Sequence, residues 1–391
     1  MPGCIACSSR VRVSSDPWGA SPWPVWRQNL RDRLAGAHAR ANARSGFLRK
    51  PPGRGRIIWI KAGGTAQSLR LGVELLGAIR QKRHDVRLVL TFERDDEAIL
   101  APRLGGMRRV GLGYGPSDRP RTVRRVMERL EPYGLILADA LPYPNLLREA
   151  AAGGVRCAAY NTDPWPVPVE AAYPRDAVQH AAWTASGRAR HLAPAADPAS
   201  LWAEAQADVT LRTLSGAGET GRLWWWHGPA ARWSDWVAAW QSDARFREDR
   251  LFVSVCEQAP ESSPALPRIS EWDRTPLAPG CVVWVDDRRW LAAVASACHA
   301  GHLEAADNAV LWQALAGGRP LSVGTGAAAM AGGEVLPLCE ASATVLDRWA
   351  GYADDPMAAR RDGDAGRRRF WEERRGVESV MSEFLQRVFD W

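Results

Sequence analysis

The residues best suited to chemistry in this 391-residue chain lie at a Gly-rich turn and at carboxylates that close short apolar runs. In "IIWIKAGGTAQSLRLGVELLGAIRQKR", Ile57 to Arg83, a β-branched and aromatic run gives way to Gly63 and Gly64. Leu69, Val73, Leu76 and Ile79 then follow at spacings of three and four. The pattern is that of a buried strand, a tight turn and an amphipathic helix beginning near Thr65 or Gln67. The glycines open backbone conformations closed to other residues, and N–H groups at a helix start favour an anionic or hydroxyl-rich ligand. The turn reads either as a binding turn or as an ordinary tight connection, because the spaced glycines of a dinucleotide site are missing. Asp95, Asp96, Asp118, Asp139 and Asp163 sit at or beyond the ends of further apolar runs. Each has the chemistry of an acid, a base or a hydroxyl ligand, and each equally suits a helix cap or a loop charge.

The elements that must position these groups alternate. "VRLVLTF" precedes a helix from Asp95, "RRVGLGYG" a helix from Arg119 to Leu130, and "GLILADALPYPN" a helix to Ala152; "VRCAAYN" then ends at Asn161. Strands alternating with helices predict a parallel, doubly wound sheet, with ligands gathered beyond the carboxyl ends of its strands. Pro164 to about Arg222 has weaker periodicity and reads as a helix with the interdomain crossing. A second alternation follows: "RLWWWHG", a Trp-rich helix, "LFVSVCE", "CVVWVDD", helices over Arg288 to Cys298 and around Asn308 to Ala316, and "RPLSVG". A long helical tail runs from Ala341 to Trp391. The domains expected are a basic arm over 1–50, an N-terminal domain over 51–205 and a C-terminal domain over 206–391. Two Rossmann-like doubly wound α/β domains facing a cleft, closed by a C-terminal helical segment, make up the GT-B layout. Two-lobed binding proteins and some epimerases share it.

Charge is uneven. Residues 1–60 hold eleven Arg and Lys against two Asp, a net +9, so within an overall +7 the remainder carries −2. The arm suits an anionic membrane surface or a solvated leader. No nucleic-acid-binding motif accompanies it, and nucleic acid is not expected as a partner. Three lysines, Lys50, Lys61 and Lys82, stand beside forty-eight arginines, which reflects coding bias. Of twenty tryptophans, six fall between Trp224 and Trp240; Trp233, Trp236 and Trp240 share one helical face and read as core. Seven cysteines with one close pair, Cys4 and Cys7, suit reduced thiols in a cytoplasmic protein, and no metal is expected. No run approaches the length of a bilayer span.

Three segments resemble the Kdo (3-deoxy-D-manno-octulosonic acid) transferases, and the likeness runs from about Arg31 to the C-terminus. "PPGRGRIIWIKAGGTAQS" is similar to the family's "IWIHA" strand with its short turn and glutamate. "LILADALPYPNLLREAAAGGVRCAAYN" resembles the "ETELWPNLL" stretch and the strand after it. "GHLEAADNAVLWQALAGGRPLSVG" resembles the "HN-LEP" segment and the "GKPV" strand. The resemblance implies a GT-B glycosyltransferase that moves a sugar, Kdo or similar from a CMP-sugar, to a lipid A precursor or other envelope acceptor. It implies work in the cytoplasm, peripherally at the inner face of the inner membrane, with no cofactor beyond the nucleotide-sugar donor.

The same resemblance implies roles. The family's general base falls on Gln67, an amide that can accept a hydrogen bond from a hydroxyl but cannot take its proton. Asp139 stands for the first glutamate of "ETELWPN", Leu141 for the second, Lys61 for the family's His and Gln313 for the glutamate of "LEP". Catalysis is thus assigned to Gln67 and Asp139. Acceptor binding goes to Lys61, Gly63, Gly64, Thr65 and Asn161, and donor binding to Gly301, His302, Asn308 and Gln313. His299 and Glu304 also lie where the donor is expected, and "VSVCEQAPESSP" replaces the family's basic run. Losses concentrated at site positions on an intact framework point either to an altered ligand or to a catalytically degenerate homologue that binds sugar or nucleotide or serves as a scaffold.

Overall fold

The computed structural model describes residues 23–104, 107–141, 143–204, 211, 213, 221–256, 266–305, 307–328 and 336–391. Residues 1–22, with Cys4 and Cys7, and most of the run replacing the family's basic segment lie outside them. The chain divides into two compact units, residues 1–196 with 380–391 and residues 197–379. The expected boundary at 205/206 thus compares with one at 196/197, and the last turns of the C-terminal helix fall in the first unit.

The first unit is a seven-stranded parallel sheet built from β1 (Ile57–Ala62), β2 (Arg87–Phe92), β3 (Val110–Tyr114), β4 (Pro132–Ala138), β5 (Arg156–Tyr160), β6 (Val169–Tyr173) and β7 (Ala189–Leu192). Their order is β3-β2-β1-β4-β5-β6-β7, so the chain reverses its direction of travel across the sheet between β1 and β4. All of β1 is buried, as its apolar run requires. Helix α3 (Ala66–Lys82) lays Leu69, Val73, Leu76 and Ile79 in the core, and Trp59, Leu135, Leu137, Trp165 and Trp183 belong to the core of the opposite face.

Two parts of this unit depart from the sequence expectation. The arm is helical from Trp23 onward, with α1 (Trp23–Leu34) and α2 (His38–Arg44), and Ala41, Ala43 and Leu48 are buried. The region read as a crossing holds β6, helix Ala177–Ser186 and β7. Both strands are short and carry alanine, which gives little β signal.

The second unit is a five-stranded parallel sheet of β8 (Leu223–Gly228), β9 (Arg250–Val255), β10 (Val282–Trp284), β11 (Ala300–Leu303) and β12 (Leu321–Val323), ordered β10-β9-β8-β11-β12. Its core is aromatic on one face: Trp224 stacks on Trp349 at 5.3 Å, and Trp226, Trp233, Trp236 and Trp240 are all buried with it. The tail is two helices, Ser342–Asp354 and Pro356–Phe389. Phe370 of the longer one enters the second unit's core, whereas Phe384 packs edge-on to Tyr160 and Tyr173 in the first. Among the described residues, no helix is long and apolar enough to cross a membrane.

Candidate functional site

Parallel register sets the site of the first unit. Lys61 pairs with Thr91 of β2, Ala62 with Ala138 of β4, and Ala138 with Tyr160 of β5. One step further along, the residues leaving these strands are level with one another: Glu93, Gly63, Asp139 and Asn161. The row sits at the carboxyl ends of the central strands, across the β1/β4 reversal where doubly wound sheets bind ligands.

Gly63 is needed for space, not for its backbone conformation as expected. It is absent from the positive-φ glycines, but a Cβ there would lie 2.3 Å from the carbonyl oxygen of Asp139. The left-handed conformation belongs instead to Asp139 (φ 47°) and Asn161 (φ 55°), two strained positions side by side at strand ends. Asn161 Nδ2 donates to Asp139 Oδ1 at 3.2 Å, and Thr65 Oγ1 donates to Asp139 Oδ2 at 3.3 Å. Thr65 is also the N-cap of α3: its hydroxyl accepts from the Ser68 N–H at 3.0 Å and Ser68 Oγ accepts from the Thr65 N–H at 3.0 Å. The N–H groups of Ala66 and Gln67 have no partner within the helix, and the first turn carries no acidic side chain. Gln67 is half-buried and Thr65 exposed. The arrangement is a fixed carboxylate beside a helix start, fit to receive a hydroxyl-bearing ligand.

Behind the turn lies a charge that sequence reading did not pair. Lys61 is fully buried in β1, with its Nζ 3.0 Å from Glu93 Oε1 and 3.8 Å from the centre of the Tyr143 ring. Gly115 leaves it room, since a Cβ there would fall 2.8 Å from that ammonium. The Tyr143 hydroxyl donates to the same Glu93 oxygen at 2.5 Å. Burial pulls the Lys61 pKa down, opposed by Glu93. Burial pushes Glu93 up, but the Lys61 charge and the hydrogen bonds from Tyr143 and Lys61 outweigh it, so this carboxyl is held below its ordinary range. Burial and the neighbouring Glu93 carboxylate push the Tyr143 phenol up, which keeps it a donor. Glu93 and Tyr143 were absent from the sequence-derived set. The signal that could have found Glu93 is its position one residue past a strand end.

The other acidic candidates serve the fold. Asp118 accepts from the Asn145 and Leu146 N–H groups at 3.0 and 2.8 Å, capping helix Pro144–Ala152. Asp96 accepts from the Ala98 N–H at 3.1 Å at the start of helix Glu97–Leu104. Asp95 lies 3.8 Å from Arg40, and Asp163 meets Gln179 at 3.5 Å.

In the second unit the residues expected to bind the donor lie on one strand and one helix. Gly301 and His302 are in β11, a central strand whose Ala-Gly-His-Leu composition carries little β signal. His302 is 1% exposed, hydrogen-bonded through Nδ1 to Ser322 Oγ at 3.0 Å and stacked on Trp236; burial pulls its pKa to about 3. A Cβ on Gly301 would meet the Trp225 ring at 2.9 Å. Gln313, on helix Asn308–Ala316, clamps the backbone of Glu204: its Oε1 accepts from that N–H at 3.0 Å and its Nε2 donates to that carbonyl at 2.8 Å. Asn308 Nδ2 donates to the Asp197 carboxylate, which also accepts from Trp312 Nε1 at 2.8 Å. Glu304 receives Trp226 and Trp236 at 3.1 and 2.9 Å and pairs with Arg232 at 2.8 Å. The His299 ring accepts from the Leu223 N–H at 3.1 Å. These side chains are engaged by the unit's own framework, and of the four assigned to the donor only Asn308 is partly exposed at a helix start.

The fold is shared with proteins that handle sugar nucleotides. UDP-GlcNAc 2-epimerase from Neisseria meningitidis bound to UDP-GlcNAc is similar at TM-score 0.53 and 8% identity, covering 84% of this chain and 100% of that one. An α,α-trehalose-phosphate synthase (UDP-forming) from Burkholderia vietnamiensis is similar at TM-score 0.54 and 12% identity, over 86% and 99%. A UGT transferase from Siraitia grosvenorii in complex with UDP matches at TM-score 0.54 and 8% identity, over 85% and 99%. The class is therefore the paired doubly wound α/β fold of GT-B glycosyltransferases and related epimerases. Within it, residues 39–163 match the family model of 3-deoxy-D-manno-octulosonic-acid transferase (kdotransferase), which sets the chain among the glycosyltransferases and carries the resemblance over that segment. A search of curated proteins finds no match.

Proposed function

We propose that the protein is a Kdo-transferase-type glycosyltransferase that moves Kdo or a similar sugar from a CMP-sugar to a lipid A-like or other cell-envelope acceptor. The observation that carries this reading is the coincidence of the 39–163 family match with the row of Gly63, Thr65, Asp139 and Asn161 at the β1/β4 reversal. In this scheme Asp139 accepts from acceptor hydroxyls and Gln67 orients the reacting one, with Lys61, Gly64 and Asn161 shaping the pocket. The nucleotide sugar binds at the carboxyl ends of the second unit's strands. Asn308 contacts it there, while Gly301, His302 and Gln313 hold the framework behind. Charge developing on the leaving phosphate is met by backbone amides and arginines. The scheme asks for no metal, so a chelator should leave the transfer rate unchanged.

A thermal-shift panel of nucleotides and nucleotide sugars, followed by transfer assays, tests the reading. Stabilisation by cytidine nucleotides is expected; a response confined to uridine nucleotides would move the donor assignment. Gln67 favours a second reading, a homologue that binds but does not transfer. Under it the parent protein binds the nucleotide and transfers nothing, while Gln67→Glu acquires activity.

We also propose that the protein docks peripherally on the anionic inner face of the inner membrane. On α1, Trp26, Leu30 and Leu34 recur every fourth residue, at 53%, 43% and 81% exposure, flanked by exposed Arg27, Arg31 and Arg33. An apolar stripe edged with arginines suits an anionic lipid surface.

A further inference from the structure

We propose that Glu93, held beside the glycine turn by Lys61 and Tyr143, is the carboxylate that takes the proton of the acceptor hydroxyl. The inference rests on the sugar-transfer reading and supplies the base that Gln67 cannot be.

The geometry is specific. The backbone N–H of Glu93 meets the carbonyl of Gly63 at 3.5 Å, and a Cβ on Gly64 would lie 3.8 Å from the Glu93 Cβ. Glu93 therefore flanks the turn on the β2 side as Asp139 flanks it on the β4 side. The Glu93 side chain is 44% exposed, open enough to receive a substrate hydroxyl. Both protein partners, Lys61 at 3.0 Å and Tyr143 at 2.5 Å, converge on Oε1, and the described contacts leave Oε2 to a ligand. Lys61 and Tyr143 also fix the rotamer, which a base at a surface strand end would otherwise lack. The carboxylate missing from the start of the helix after β1 is thereby replaced from the end of the neighbouring strand.

In the step itself, the acceptor oxygen forms a bond to the anomeric carbon of the donor sugar. The bond from that carbon to the phosphate oxygen breaks, its electron pair leaving with the nucleotide. The proton of the attacking hydroxyl passes to Glu93 Oε2. A carboxylate held below its usual pKa range suffices, because the oxygen becomes strongly acidic as its new bond forms. Asp139 lies on the other side of the turn with both oxygens engaged by Thr65 and Asn161, and it positions the acceptor.

The competing account is that Glu93 exists only to neutralise a buried lysine. Four proteins separate the two: the parent, Glu93→Gln, Tyr143→Phe and the pair Lys61→Met with Glu93→Gln. Each is assayed for transfer from CMP-Kdo to a lipid A precursor, for CMP-Kdo affinity and for melting temperature. Glu93→Gln should lower kcat by about 10²- to 10⁴-fold at unchanged donor affinity. The double variant should regain the melting temperature that Glu93→Gln loses, without regaining kcat. Tyr143→Phe removes a hydrogen bond to the carboxylate and should move the acidic limb of the rate profile to higher pH. Parent-like kcat in Glu93→Gln, or recovery of kcat together with stability in the double variant, overturns the assignment. A parent that transfers no sugar from any donor overturns the functional reading and this assignment with it, a result distinguished by the inactivity of the parent itself.

Discussion

Asp139 and Asn161 occupy backbone conformations that L-residues enter at a cost, roughly 1–2 kcal/mol for a residue with an ordinary side chain. Asn tolerates the left-handed region better, and here its amide also holds Asp139 at 3.2 Å. Asn161→Ala should therefore lower stability by about 1–2 kcal/mol in urea denaturation, with a smaller loss for Asn161→Gly, because glycine accepts the backbone without penalty. Equal losses in the two variants would place the cost in the lost amide contact. Gly63→Ala is a different experiment: the added Cβ meets the Asp139 carbonyl at 2.3 Å, so the strand ends must part. A loss of about 1–3 kcal/mol is expected, and acceptor affinity should fall with it. The sequence marked this turn as a site but assigned it the wrong reason, since φ is not legible from a Gly-Gly pair and a neighbour's carbonyl is not in the local sequence at all.

At the scale of elements, the second unit holds two buried imidazoles that titrate against the fold. Burial pulls His227 to about 4 and His302 to about 3, both below the ordinary value near 6.5. At a pH between those values and 6.5 the unfolded chain binds protons there that the folded chain does not. Stability is thus highest above 6.5 and falls as pH drops through that window. Chemical denaturation at pH 7.5 and 5.0 should show this fall, and Gln at both positions should flatten it; an unchanged slope would mean that other groups dominate. Helix Asn308–Ala316 is tied to the start of the second unit by Gln313, whose amide satisfies the N–H and the carbonyl of Glu204. Gln313→Ala leaves those groups without this partner and should cost about 1–3 kcal/mol of stability. The Trp helix was legible because its spacing of three and four is the helical signal itself. The strand holding Gly301 and His302 was not, because four residues of weak propensity become a strand only when β8 and β12 flank them.

For the whole molecule, the net +9 of residues 1–60 set against −2 elsewhere makes the protein electrically lopsided. If α1 meets an anionic bilayer, sedimentation with phosphatidylglycerol vesicles should weaken as salt rises, since surface charges are screened beyond about 10 Å at 0.1 M. Trp26→Ala with Leu30→Ala should weaken it at every salt concentration, because both side chains belong to the exposed apolar stripe. Vesicle binding indifferent to salt would rule out the electrostatic part.

Local sequence alone determined the alternation of strands and helices in two doubly wound units, the tryptophan core and the neighbourhood of the turn at Gly63. These follow from apolar periodicity and from residue volumes, which each segment carries within itself. Only tertiary structure decided which strand ends stand level with one another. That register brings Glu93, Gly63, Asp139 and Asn161 into one row from four separate segments, buries Lys61 against Glu93 and Tyr143, and hides His302 inside a sheet. The physical reason is that register is fixed by hydrogen bonds and packing between strands distant in sequence, so neither partner alone contains it.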